Sequence, residues 1–283
     1  MRWLPLAILI AACGGNEKSA STTAHNTDSI VHADSLALVK ALAAPIKVDT
    51  ANRTLSMAAG AQAYRVEAVA ASGSINGFVH SNSALPIDTL VAPNFDSTRC
   101  KAFQDVTSPT RRGDKSGAVG NAIAWLVGVA SGPADSSSRR VSLRFEKCHL
   151  EPRVQRAPVG ASINVNYRIE GAADLRFFEI GAADNATRTV LHFTDPGQVV
   201  PSTIALAKPG LIEVRDAKHN WIRGFIAVAP HPFVAVTSAD GKFSFSGIPV
   251  GTYQLVVWQE RLGSRVSTVT VKRGVAESVR VEY

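Results

Sequence analysis

The chain is poor in charge, in cysteine and in long apolar runs. Charged residues make up 19% of its 283 positions and hydrophobic ones 46%, a balance that excludes wholesale disorder. Glycine (21) and proline (14) stay near ordinary usage, which excludes collagen-like and proline-rich repeats. After residue 12 no apolar stretch is long enough to cross a bilayer as a helix, and beyond residue 45 no sustained helical period occurs. No GxSxG, HExxH, phosphate-loop or dinucleotide fingerprint is present, and no spacing of Ser, His and Asp singles out a triad. The formal charge of +7 is a scattered excess with only two Arg pairs, Arg111-Arg112 and Arg139-Arg140. Without a basic stripe and interleaved aromatics, nucleic acid is not an expected partner. The length suits about two domains, large enough to bury a core without metals or many crosslinks.

What is present begins with an address. Met1-Arg2 gives a positive start, and the nine residues Leu4 to Ala12 form an apolar run broken only by Pro5. That is too short for the roughly 30 Å hydrocarbon core and reads as a signal peptide over residues 1–12. Ile10-Ala11-Ala12-Cys13 resembles the bacterial lipobox. The resemblance implies that Cys13 is acylated and opens the mature chain; a plain secretory signal is the alternative. Gly14 in the next position implies sorting to the outer membrane in many bacteria. The expected location is therefore the bacterial cell envelope, lipid-anchored, at the outer membrane facing the periplasm or the cell surface. An anchor of several acyl chains is effectively permanent. Residues 13–62 read as a tether: 16–31 are rich in Ser, Thr, Asn and Ala, and Asp34 or Ser35 caps a short helix ending before Pro45.

Two cysteines remain, Cys100 and Cys148. Outside the cytoplasm an even pair reads as a disulfide, which the chain-entropy model values at up to about 4 kcal/mol. A metal-binding or catalytic thiol is the alternative, but neither cysteine has CxxC or CxxH spacing.

From Tyr64 onward the text is strand-like. Short β-branched and aromatic runs recur between Gly, Pro, Asn and Asp turns, a pattern that means an antiparallel sandwich or barrel. The spacing predicts strands at Ile75-His80, Ala122-Val129, Val141-Cys148, Ser162-Ile169, Leu175-Ile180, Thr187-Phe193, Thr203-Leu206, Leu211-Arg215 and Gly224-Ala229. Four more follow: one through Phe243 and Phe245, one through Tyr253 to Val257, and a hairpin of two closing around Arg273-Gly274.

The run Val236 to Phe243, followed by Ile248-Pro249-Val250-Gly251-Thr252-Tyr253, resembles the carboxypeptidase regulatory-like domain. That family's opening strands are not evident just upstream: either the module is truncated, or Gly73 to Val79 supplies an edge from far away. Ala207 to Ile222 resembles the copper loop of cupredoxin-like proteins, a likeness supported by Gly117 to Leu126, the paired cysteines and Glu151 to Val154. The fold expected is therefore all-β: a cupredoxin-like antiparallel β-sandwich over residues 63–232, followed by a small carboxypeptidase regulatory-like (prealbumin/carbohydrate-binding-like) β-module over 233–283.

A blue-copper centre needs a thiolate, two imidazoles and a weak thioether. Where the resemblance calls for Cys the chain has Asp216, where it calls for Met it has Ile222, and His219 alone remains in the loop. Arg176 and Glu179 stand where the upstream histidine is expected. The site is thus expected to be degenerate, with no cofactor and with Arg176, Glu179, Asp216 and Arg215 paired as ions. The rival expectation is a harder metal held by Glu179, Asp216 and His219. His231, between two prolines, reads as structural, and Trp125, Trp221 and Trp258 read as core anchors before a sugar platform. Together these residues point to a non-enzymatic envelope lipoprotein, a binding or scaffold module for another envelope protein or a glycan. Exposure of Trp221, Phe225, Phe233 and Trp258 would favour the glycan.

Overall fold

The structure, a computed structural model, describes residues 64–82, 117–146, 148–169, 171–180, 187–201, 206, 208–218 and 222–283. The expected signal peptide, Cys13, the tether helix, Cys100, His219 and Trp221 lie outside these residues. Every regular element among the described residues is a strand: β1 (Arg65–Val66), β2 (Ser72–His80), β3 (Ile123–Val127), β4 (Ser131–Gly132), β5 (Arg140–Glu146), β6 (His149–Glu151), β7 (Val154–Pro158), β8 (Ser162–Tyr167) and β9 (Ala173–Glu179). The second half holds β10 (Thr187–Phe193), β11 (Val199–Pro201), β12 (Gly210–Asp216), β13 (Arg223–Ala229), β14 (Val234–Val236), β15 (Lys242–Pro249), β16 (Gly251–Gln259), β17 (Gly263–Val271) and β18 (Ala276–Glu282).

Besides the small β1-β4 pair, four sheets make two sandwiches. The first packs β11-β8-β5-β6 against β10-β9-β12-β13-β7, and the second packs β14-β3-β16-β17 against β15-β2-β18. In β5 and β8 the side chains alternate between exposed or half-buried and buried, because one face meets a core and the other meets water. Phe145, Ile163, Tyr167, Leu175, Phe177, Val214 and Ile226 fill the first core. Ile75, Leu126, Phe243, Phe245, Leu255 and Val271 fill the second.

The expected all-β sandwich class holds, but the chain does not divide between residues 232 and 233. β2 lies between β15 and β18, and β3 lies between β14 and β16. The last fifty residues therefore depend on strands from far upstream, and the first sandwich is inserted between the two parts of this split sandwich. The run Gly73 to Val79 does complete the C-terminal module, as a central strand and not as an edge. Two close approaches fix it there. A Cβ on Gly77 would sit 2.0 Å from Cζ of Phe243, so only glycine lets that ring lie across β2. Gly241, at φ 76°, turns the chain into β15 with its N–H on the Ser238 carbonyl.

The expected hairpin around Arg273-Gly274 is also corrected. β17 pairs antiparallel with β16 in one sheet, whereas β18 pairs parallel with β2 in the other. The turn arches across the sandwich, and the Gly274 N–H donates to the Ser72 carbonyl. The predicted strand at 203–206 falls outside the described residues except for Leu206; the nearest strand is β11.

The two sandwiches share a third apolar layer. Trp125, Val234, Val256 and Trp258 from the split sandwich meet Val154, Phe225, Ala227 and Ala229 from the inserted one. This explains why all seven residues of β13 and the last five of β16 are buried without alternation: both of their faces are covered. The four sheets thus stack in one order, with β13 and the end of β16, one in each inner sheet, dry on both sides.

Candidate functional site

The loop that resembles a copper site joins β12 to β13. Asp216 ends β12 and is buried, and its backbone N–H donates to the Ile222 carbonyl at 3.0 Å. Its carboxylate closes the turn by accepting the Lys218 backbone N–H at 2.8 Å. Ile222 is 1% exposed and belongs to the inserted core. So the position expected for a thiolate carries a carboxylate that already serves as a turn acceptor. The position expected for a thioether carries a packed aliphatic side chain. This donor set does not fit type 1 copper.

The register also rules out the rival metal set. Asp216 pairs with Leu175, while Glu179 pairs with Ile212 at the other end of the same ladder. Four residues of strand separate them, roughly 13 Å at ~3.3 Å per residue. Glu179 and Asp216 therefore cannot share one ion, and Arg176 is exposed between them, opposite Arg215. The strand residue that does lie beside the loop is Asp174. Its carbonyl accepts the Ala217 N–H at 2.8 Å, and its carboxylate holds His192 Nδ1 at 2.8 Å on the surface. Sequence reasoning missed it by two residues, because only the cross-strand register shows which end of β9 meets the loop. Among the described residues, no three His, Cys, Asp or Glu side chains converge as a metal site.

Arg215, one of the residues expected to pair, belongs to a buried charge cluster on the face of the inserted sandwich that meets its neighbour. Glu213 is 5% exposed; Arg215 Nε lies 3.2 Å and Arg223 Nη1 3.6 Å from its Oε1. Neither contact has hydrogen-bond geometry. Burial pushes the Glu213 carboxyl up, outweighing the opposing pull of Arg223 and Arg215, and it pushes the Arg223 guanidinium down. The Arg215 guanidinium covers the Phe178 ring at 4.4 Å. From the other sandwich, the buried Glu260 takes both Nε and Nη2 of Arg153, at 2.9 and 2.6 Å. Arg153 Nη1 donates to the Arg223 carbonyl at 2.7 Å and so joins the two halves of the cluster. A bidentate pair fixes orientation as well as supplying attraction. These buried charges register the sandwiches on one another.

The two crossings between sandwiches are tied together as well. Arg156, on β7, pairs with Asp135 and donates to Ser137 Oγ on the outgoing connection. The same guanidinium donates to the His231 carbonyl on the returning connection, at 3.2 Å. The His231 ring is buried, and its Nε2 donates to the Leu126 carbonyl at 3.0 Å. Burial pushes its pKa down to about 4, so the ring is neutral. Tyr64 packs on it at 5.6 Å between ring centroids and donates to the Pro133 carbonyl. His231 is structural, as its proline flanks implied.

Trp125, Phe225, Phe233 and Trp258 are all buried, so among the described residues none of these aromatics offers a sugar platform. Cys148, in the turn between β5 and β6, is buried and disulfide-bonded; its expected partner Cys100 lies outside the described residues.

No protein-family model matches the chain, and no curated protein matches it. Solved cupredoxins are similar in structure over about a third of it. Reduced auracyanin from Roseiflexus castenholzii has 13% identity and a TM-score of 0.28, covering 34% of this chain and 100% of its own. A purple cupredoxin from Nitrosopumilus maritimus has 10% identity and a TM-score of 0.26, covering 31% and 99%. An amicyanin mutant in its reduced state has 16% identity and a TM-score of 0.27, covering 37% and 97%.

Proposed function

We propose that the chain is a non-enzymatic lipoprotein of the bacterial cell envelope that acts as a binding or scaffold module, its copper loop reduced to a structural turn. The observation that carries this reading is Asp216. A buried carboxylate accepts the Lys218 N–H in the place the copper loop gives to a thiolate, while Ile222 packs into the core. Such a loop has no soft donor to tune a redox centre. The Cys13 lipobox supplies the anchor and the 13–62 tether the reach. In this reading the inserted sandwich is a rigid spacer, locked to the split sandwich by Arg153 and Glu260. The Cys100–Cys148 disulfide belongs to the same reading, as a stabiliser and not a reactive centre. Burial of Phe225, Phe233 and Trp258 favours a protein over a glycan as the bound partner.

The test is titration of the chain from Gly14 onward with copper, zinc and iron(II), beside a His219→Ala variant. The reading predicts no stoichiometric binding in either; one metal per chain, lost with His219, would overturn it. Cys13→Ser should release the protein from membrane fractions, and retention there would mean that another anchor exists.

A further inference from the structure

An exposed sheet edge offers unpaired N–H and C=O groups to any passing strand, and folded proteins blunt such edges. Nearly every edge among the described residues is blunted. β6, β11 and β14 have three residues each. Pro158 ends β7, Pro201 ends β11 and Pro249 ends β15. The ladders of β10 and β15 are broken by register shifts. β18 carries Glu277, Arg280 and Glu282.

β17 has none of these protections beyond its first two residues, where the Tyr283 hydroxyl donates to the Gly263 carbonyl and Arg265 Nη1 to the Ser264 carbonyl, each at 3.1 Å. It is nine residues long and pairs with β16 at every position without a shift, and no strand among the described residues pairs with its other side. Its run Val266-Ser267-Thr268-Val269-Thr270-Val271 has high β-propensity and no charge, proline or glycine. The only charge in the strand, Arg265, is turned back on the chain's own C-terminus. Its Nε donates to the Glu282 carbonyl at 3.2 Å and its guanidinium lies 4.9 Å from the Tyr283 ring centroid. Val266 is 40% exposed, and Thr268 and Thr270 are exposed.

The flanks say what fits there. Arg261 stands at one end, and Lys272 and Arg273 at the other, all exposed. A second copy of β17 in antiparallel register would bring Lys272 and Arg273 against Arg261 at both ends, a like-charge arrangement. Nor does this chain's remainder supply the opposite charge. Residues 14–62 hold four Lys or Arg against four Asp or Glu, and residues 83–116 hold five against four. We infer that β17 is the docking strand of this protein, and that its partner is an extended acidic segment of another protein. That segment is added to the β14-β3-β16-β17 sheet as a further strand. Main-chain hydrogen bonds hold it, and its carboxylates meet the cations at the two ends of β17.

This inference rests on the scaffold reading and names its partner. The probe is a nine-residue peptide of alternating threonine and valine with two glutamates at each end, titrated by fluorescence anisotropy into the full mature chain in detergent. Binding is expected, and Lys272→Glu with Arg273→Glu should weaken it by at least about tenfold, with unchanged circular dichroism. N-methylation of alternate peptide amides should abolish it, since that removes main-chain donors and leaves the charge intact. The inference fails if the peptide does not bind, if the N-methylated peptide binds equally, or if the double substitution changes nothing. Concentration-dependent dimers that Thr268→Lys disrupts would overturn the acidic partner in favour of a second copy. Metal titration is independent of all these outcomes: metal binding would sink the scaffold reading, whereas failure of the peptide alone would sink only the docking strand.

Discussion

The two sandwiches are made from the same short alternating strands, yet they expose different things. The inserted sandwich closes its edges with prolines, a register shift and short strands, and it turns Glu213, Arg215 and Arg223 toward its neighbour. The split sandwich answers that face with Glu260 and Trp258 and leaves β17 open. In the first, the loop that resembles a metal site is a turn; in the second, a plain strand edge is the feature most ready to bind. If the proposed docking strand is right, chemistry-bearing residue types are a poor guide to where this molecule binds, and the covering of its edges is a better one.

The sharpest way to break the comparison is to separate the halves of the split sandwich. Residues 233–283 made alone should lack stable structure, because β2 and β3 are central to both of their sheets; residues 64–283 should fold. Cooperative melting of the isolated C-terminal piece, followed by circular dichroism, would return the boundary to 232/233. Next in size is the lock between the sandwiches. Arg153→Met leaves Glu260 buried without its bidentate partner and should cost about 3 kcal/mol or more in chemical denaturation. Adding Glu260→Leu should recover most of that loss, since it removes the stranded charge. A double variant no better than the single would mean the pair does not act as a unit.

The crossing at His231 gives a pH signature. Its ring is held neutral, with a pKa near 4 against the ordinary 6.5. The unfolded chain takes up a proton as the pH falls through about 6.5, and the folded chain does so only near 4. The contribution is therefore complete above 6.5 and lost between there and 4, amounting to at most about 3 kcal/mol. His231→Gln should flatten that segment of the stability profile; an unchanged slope would remove His231 from the account. Least of all, breaking the exposed Arg144–Glu151 pair with Arg144→Ala should change stability by under about 1 kcal/mol, because water screens both groups. A larger loss would show that the outer face of the inserted sandwich is less solvated than it looks.

Strand placement was the most legible part of the sequence. Thr187–Phe193 has the bounds its pattern implies, and β8 begins at Ser162 as expected. β7 and β14 were not legible, since Val154-Gln155-Arg156-Ala157-Pro158 does not alternate and Val234–Val236 is too short to show a period. The split of the second sandwich left no local trace beyond the missing opening strands that made Gly73 to Val79 a distant candidate, because the parallel pairing of β18 with β2 joins residues some two hundred positions apart, as in Glu282 with His80. It did leave an indirect one. Ile123 to Val127, Phe225 to Ala229 and Leu255 to Trp258 are apolar without alternation, the mark of strands covered on both faces. At the loop, the sequence suggested Asp216 and Ile222 in the places of soft donors, and the structure gives them other work, a turn acceptor and a core side chain. The Glu179 assignment failed because residue type carries no register. Glu213 stands in a strand otherwise apolar save for Arg215 and Asp216, so it was visible as an oddity but not as one member of a buried cluster.

The central claim is that this chain serves by docking and holds no catalytic metal. The most direct measurement is the metal content of the protein purified from its native envelope without chelator, by elemental mass spectrometry against protein concentration. The account predicts copper, zinc, iron and manganese each far below one per chain. One equivalent of any of them, retained through gel filtration, would contradict it.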